Sequence, residues 1–219
     1  MARKNLTMRN TDTKKWLLPV ILAAVTLVTS AVLMLTHELT KERIEQQKLQ
    51  NTLNSLKRLM PSDLIDNDVL TDALTIYEPE RLGHRQPKQL YLGTQRGQLT
   101  VLAIPVVARN GYAGDIELLV GVKVNGNVTD VAIINHKETP GLGDIIERRK
   151  SDWLQQFPDT SLNQPLEKDW KVKKDGGYFD QITAATITPR AVVSAIKTAL
   201  LYQQAEQSKW STQTESGNE

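Results

Sequence analysis

The sequence predicts an α+β protein: an N-terminal transmembrane helix, then an antiparallel sheet with flanking helices. Three observations lead there. Trp16–Thr36 carries no charged side chain. From Leu90 to Ile134, aliphatic and β-branched runs are broken by Arg96-Gly97 and Asn125-Gly126, the second a strong two-residue hairpin signal. Ala191–Tyr202 has the apolar spacing of an amphipathic helix, with Pro189 just ahead of it.

Composition narrows the function classes. The chain has 219 residues, a net charge of +2, no cysteine and three histidines. Nothing in that balance points to nucleic acid. Disulfides, thiolate metal sites and cysteine nucleophiles are excluded, and no metal site is expected from so few histidines.

Residues 1–15 form a basic tail, with Arg3, Lys4, Arg9, Lys14 and Lys15 opposed only by Asp12. Residues 16–36 are the span: about 31 Å of helix against a hydrocarbon core of about 30 Å. A cleaved signal peptide would have a shorter apolar region and a small-x-small cleavage site, which Met34-Leu35-Thr36-His37-Glu38 does not offer. Beyond the span, Lys41, Arg43 and Lys48 are interleaved with Glu38, Glu42 and Glu45. The positive-inside rule therefore places the N-terminus in the cytoplasm and the rest outside; in a bacterium this is a single-pass inner-membrane protein with a periplasmic domain.

Residues 37–88 read as a stalk and connector. Helix continues over Glu38–Met60, with Leu49, Leu53, Leu56 and Met60 on one face, and Pro61 stops it. A short helix is expected near Asp68–Leu74. The main domain runs from 89 to 202: strands at Leu90–Leu92, Gln98–Val107, Ile116–Val124 and Asn127–Ile134, a helix over Asp144–Phe157, and a polar connection around Trp170 and Val172. Residues 203–219 are polar, lack an apolar pattern and are expected to be disordered.

Two loops carry the chemical signals. His136–Gly143 (His-Lys-Glu-Thr-Pro-Gly-Leu-Gly) holds two glycines that allow close backbone approach to a ligand. Asp180–Arg190 places Thr183, Thr186 and Thr188 just before Pro189. Proline suits a first helical turn and Thr188 is the expected N-cap, so these hydroxyls approach a helix N-terminus that favours phosphate. Neither loop offers a nucleophile–base pair or paired carboxylates, and no catalytic residue is assigned.

With Gly111–Ile116 (Gly-Tyr-Ala-Gly-Asp-Ile) and Asp180–Thr186 (Asp-Gln-Ile-Thr-Ala-Ala-Thr), these loops resemble, in order, the FMN-binding domain family. The resemblance covers roughly 90–201. Chain length and the run Thr-Ile-Thr-Pro-Arg-Ala-Val-Val look most like the G subunit of Rnf/Rsx-type ion-translocating electron-transport complexes.

That resemblance implies FMN joined through its phosphate to a threonine by a flavin transferase. Thr186 is then the acceptor, Thr183 the earlier hydroxyl and Asp180 the leading acid of the motif. Ala184 stands where glycine or serine is usual. Glu138, Thr139, Leu142 and Gly143 are implied to line the flavin pocket. The implied partners are membrane lipid, the transferase, and other membrane and redox subunits. The implied role is electron relay inside a translocase, without independent catalysis. Two alternatives remain: the C subunit of a sodium-translocating NADH:quinone reductase, and a non-redox scaffold that keeps the fold without flavin.

Overall fold

The structure is a computed structural model and describes residues 12–213. The residues form two compact units, divided between Gln50 and Asn51. Helix α1 (Asp12–Leu59) runs through the first as far as Gln50, and its last turns belong to the second. Within α1, Trp16–Lys41 has a mean hydropathy of 2.4 and is entirely exposed, so it is long and apolar enough to cross a membrane. Its threonine hydroxyls fold back on the helix: Thr29 Oγ1 donates to the Val25 carbonyl and Thr36 Oγ1 to that of Val32, both at 2.7 Å. A hydroxyl satisfied in this way can sit in lipid without an unpaired donor.

The second unit is built on a five-stranded antiparallel meander in chain order: β1 (Leu74–Ile76), β2 (Lys88–Gln95), β3 (Gln98–Ala108), β4 (Ile116–Lys123) and β5 (Val128–Asn135). The β2–β3 turn holds Arg96 at φ 53° and Gly97 at φ 76°, two successive left-handed residues of the kind tight hairpins need.

Both faces of this sheet are buried, because alternate side chains point to opposite sides. Leu102, Ile104, Val106, Leu118, Val120 and Val122 face helix α2 (Ile187–Gln213) and the long 143–182 segment. Along α2, Ala191, Val192, Ala195, Ile196, Ala199 and Leu200 recur at helical spacing and are buried. Phe157 and Phe179 stack at 4.8 Å, Trp170 lies 4.7 Å from Phe179, and Trp153 meets Phe157 edge-on at 5.2 Å. This aromatic cluster pins an otherwise irregular segment to the sheet.

The opposite face is covered by the C-terminal turns of α1. Leu56, Leu59 and Met60 pack on Val101, Ala103, Leu119 and Ala132. A Cβ at Gly121 would lie 2.7 Å from the Leu59 carbonyl oxygen, so glycine is what lets the helix end approach β4. Thr129 Oγ1 donates to that same carbonyl at 2.5 Å, satisfying an acceptor the helix leaves unpaired.

Several sequence expectations are corrected. Asp68–Leu74 is not helical: Asp68 Oδ1 accepts the Leu70 N–H at 3.1 Å and Oδ2 accepts the Thr71 hydroxyl at 2.9 Å, holding a turn, and Leu74 already belongs to β1. Asp144–Phe157 contains two short 3₁₀ helices, Gly143–Ile146 and Trp153–Gln156, rather than one α-helix. Two more lie at Glu167–Asp169 and Lys173–Asp175. The tail expected to be disordered from Gln203 continues α2 as far as Gln213. Residues 214–219, and the tail before Asp12, lie outside the described residues.

Candidate functional site

Glu138 is the hub of the site. Its side chain is buried, with a residue exposure of 5%. Oε1 accepts the Ala113 N–H at 3.1 Å, and Oε2 accepts the Thr188 hydroxyl at 2.6 Å. One carboxylate therefore ties together the 111–114 loop, the 136–143 loop and the first turn of α2. Charge-assisted bonds of this kind are stronger than neutral ones, and a buried carboxylate requires them.

Gly143 completes the junction. A Cβ there would lie 2.5 Å from Glu138 Oε2 and 2.9 Å from Thr188 Oγ1. Gly141 works differently: it has φ 80° with open space around it, so its constraint is conformational. Between them Leu142 is held out into solvent, its N–H bonded to the Thr139 carbonyl at 3.1 Å.

A polar shell holds this loop in place. His136 Nδ1 accepts the Glu138 N–H at 3.0 Å, which leaves Nε2 to carry the proton toward Glu147 Oε1 at 3.2 Å. Burial pushes the Glu147 carboxyl up, but hydrogen bonds from Arg149, Lys150 and His136 hold it below its ordinary value. Asp144 is bonded by Lys150 and takes the Gly141 N–H at 2.7 Å; both contacts hold it below the ordinary carboxylate range. It stays charged at neutral pH and fastens the turn.

The threonine loop is a tight turn. The Ala185 N–H reaches the Ile182 carbonyl at 3.2 Å, with Thr183 and Ala184 at the corners. Ala184 has φ 65°. The turn enters from a clamped backbone: the Asp180 carbonyl accepts Trp153 Nε1–H at 2.7 Å, and the Asp180 N–H donates to Gln156 Oε1 at 2.6 Å. The Asp180 carboxylate points outward to Lys173 Nζ at 2.6 Å, with both side chains more than half exposed.

α2 opens at Ile187, so Thr186 is the residue directly before it. This corrects the N-cap assignment of Thr188, which lies inside the first turn, buried and committed to Glu138. Thr186 is half-buried. Tyr112 (69% exposed), Leu142 (43%) and Ile187 (45%) each immediately precede one of the residues that meet Glu138. Exposed apolar side chains thus surround the junction.

The structure brings Glu138, Gly143 and Thr188 into direct contact and keeps Leu142 at their margin. Thr139, Thr183 and Asp180 are exposed, and among the described hydrogen bonds and ion pairs none joins Asp180 or Thr183 to Glu138. Sequence reasoning missed Ala113, Trp153 and Gln156. Their contributions are a backbone donor and two side chains clamping a backbone, which no residue-type pattern records.

The residues present fit a flavin phosphoester. Thr186 offers a reachable hydroxyl, the start of a long helix favours its phosphate, and Tyr112, Leu142 and Ile187 offer apolar surface for a ring. Among the described residues, no group of three or more metal-ligating side chains occurs.

Comparison with known proteins identifies the family. The family model of the FMN-binding domain matches residues 111–201, and that of the RnfG N-terminal region matches residues 20–59. The G subunit of the ion-translocating oxidoreductase complex of Pseudoalteromonas atlantica is 45% identical over 185 residues, covering 84% of this chain and 86% of its own. That of Vibrio cholerae is 44% identical over 182 residues, covering 83% and 87%. That of Shewanella amazonensis is 40% identical over 191 residues, covering 87% and 88%. The solved structure of Shewanella oneidensis NqrC overlaps with a TM-score of 0.41 at 18% identity, covering 64% of this chain and 75% of that one. By identity and coverage, the chain belongs to the family formed by the G subunits of ion-translocating oxidoreductase complexes.

Proposed function

We propose that this protein is the membrane-anchored flavin subunit of an ion-translocating electron-transport complex, with FMN joined through its phosphate to Thr186 and relaying electrons on the periplasmic side. The observation that carries this reading is the place of Thr186: a half-buried hydroxyl directly before α2, beside the junction organised by Glu138.

Attachment needs a flavin transferase and an activated donor, a flavin dinucleotide. The bond from Thr186 Oγ1 to the flavin phosphorus forms, the phosphoanhydride bond breaks, the nucleoside monophosphate leaves, and the hydroxyl proton goes to a base of the transferase. The first-turn N–H groups of α2 favour the phosphodiester by about 0.3–1 kcal/mol. Once bound, the flavin supplies one- and two-electron chemistry. The chain's own residues would hold it: Tyr112 and Leu142 would offer apolar surface beside Gly143 and Glu138, and the clamp on Asp180 would fix the approach of the acceptor turn. Lipid surrounds Trp16–Thr36, and other membrane and redox subunits supply and take electrons.

The intact mass of membrane-extracted protein tests the linkage. Wild type is expected to carry the mass of one FMN less water and to keep its yellow colour through acid precipitation. Thr186→Ala should lose both and stay folded, since it removes little apolar volume. Fragmentation of the flavin peptide to Thr183 or Thr188 instead would overturn the assignment. A folded wild type free of flavin would favour the scaffold reading. Topology is tested separately: the basic flank before Trp16 predicts that a reporter fused after Glu219 is active only if it works in the periplasm.

A further inference from the structure

β5 is an outer strand of the sheet, and its outer edge is only partly closed. At its start, the Val128 N–H is bonded to the Thr160 carbonyl and the Val128 carbonyl to the Asp159 N–H, both at 2.8 Å. The Val131 N–H is taken by Asp130 Oδ1 at 2.8 Å. Beyond that point the edge opens into a cleft of about 610 Å³.

Val131–His136, six consecutive residues, line this cleft. Successive strand side chains point to opposite faces, so a cleft that touches every residue in the run follows the backbone edge, not a face. At roughly 3.4 Å per residue, the run is about 20 Å long. One wall is α1 from Asn51 to Arg58, and the other is the Glu147–Arg149 turn. Three arginines, Arg58, Arg148 and Arg149, face one carboxylate, Glu147. Asp130, behind the wall, takes Arg58 at 3.6 Å and is bonded by Arg148. Among the described residues, Arg148 Nε is a buried donor without an acceptor, and a buried unpaired donor carries a desolvation penalty.

Sheets normally close such edges. At the other side of this sheet, β1 is only three residues long, one of the usual protections. β5 has eight residues and an aliphatic run, Val131-Ala132-Ile133-Ile134, with two register shifts against β4 but neither proline nor lysine.

We propose that the open edge of β5 takes an extended segment of a partner subunit as an added strand, with an acidic residue of that segment placed against Arg148 and Arg149. Backbone pairing supplies the affinity of this mode, and side-chain pockets supply the choice of partner. Arg149, 78% exposed at its side chain and held by Glu147, steers the acidic segment. The inference rests on membership of a complex and not on the flavin.

Hydrogen–deuterium exchange on the full chain tests it. The peptide spanning Val131–His136 is expected to exchange at least about tenfold more slowly in the purified complex than in the isolated full-length chain. A photo-crosslinking residue at Asn135 should capture an extended acidic segment of another subunit. Arg149→Glu should reduce retention of the chain in the complex about tenfold, and Arg149→Lys should largely restore it. Unchanged exchange in an intact complex overturns the proposal. So does protection that rises with concentration of the isolated chain, since the occupant is then a second copy. A crosslink to a partner helix overturns it too. Failure to recover any complex defeats the complex reading and this proposal together, whereas loss of flavin alone leaves both standing.

Discussion

Ala184 is held at φ 65°, a conformation in which a Cβ crowds the following carbonyl. The cost for an L-residue there is about 1 kcal/mol, and glycine avoids it. This geometry accounts for glycine as one of the usual residues at this position of the motif, and alanine there carries strain. Ala184→Gly is expected to raise stability by about 1 kcal/mol in urea unfolding without loss of flavin. Gly141 and Gly143 separate the two uses of glycine. Gly141→Ala should cost about 1 kcal/mol through its φ alone, with flavin retained in the folded fraction. Gly143→Ala forces Glu138 off its bonds to Ala113 and Thr188, and should lose flavin as well as stability, read together by absorbance and unfolding. The sequence singled out Glu138 and Gly143 through their motif, and the structure brings them together. It could not make Thr188 legible, because whether that hydroxyl caps its own helix or turns to Glu138 is decided by how the loop docks.

At the scale of elements, strands and hairpins were legible from alternation and the Asn-Gly turn, while the connections were not. Asp144–Phe157 has a helical look on paper, yet Arg148 answers to a partner outside the segment, Asp130, and Lys150 folds back on Asp144 at its start. Tertiary ion pairs and the aromatic cluster overrode local propensity there. The end of α2 was missed for a related reason. Gln203 and Glu206 look like solvent residues, but both are buried, Gln203 Nε2 reaching the Val124 carbonyl at 3.2 Å and Glu206 pairing with Arg81 at 2.5 Å. His84 plays the same part in the 78–84 segment. It is fully buried, with Nδ1 accepting the Glu78 N–H at 3.2 Å and Nε2 bonded to the Pro105 carbonyl at 2.9 Å. Burial holds the imidazole below its ordinary value. The unfolded chain therefore takes up a proton as pH falls through about 6.5, while the folded chain does so only at lower pH. Stability is expected to fall from pH 7.5 to 5.5, and urea unfolding should find that slope reduced in His84→Gln, which starts from a lower stability at pH 7.5.

For the whole molecule, the sequence suggested a stalk over 37–88 and a domain beginning at 89. The chain instead divides after Gln50, and the residues from 51 onward fold with the sheet. Periodicity identified the face of Leu49, Leu53, Leu56 and Met60 as apolar but could not say what it meets; Leu56 and Met60 meet the sheet, at Val101, Ala103, Leu119 and Ala132. This gives opposite expectations for two soluble versions of the protein. One beginning at Asn51 keeps Leu56, Leu59 and Met60 over the sheet, and should express as a folded monomer with cooperative unfolding. One beginning at Gln89 loses those three side chains, the Thr129 contact with the Leu59 carbonyl, and β1. At about 2–5 kcal/mol for each large buried side chain removed, the loss is comparable with a typical total stability of about 5–15 kcal/mol. It also bares an apolar sheet face, which promotes association. The shorter version is expected to aggregate or to bind hydrophobic dyes without a cooperative transition. A cooperative, monomeric 89–213 fragment would mean that the α1 turns only decorate the sheet, and the domain boundary would return to where the sequence alone had put it.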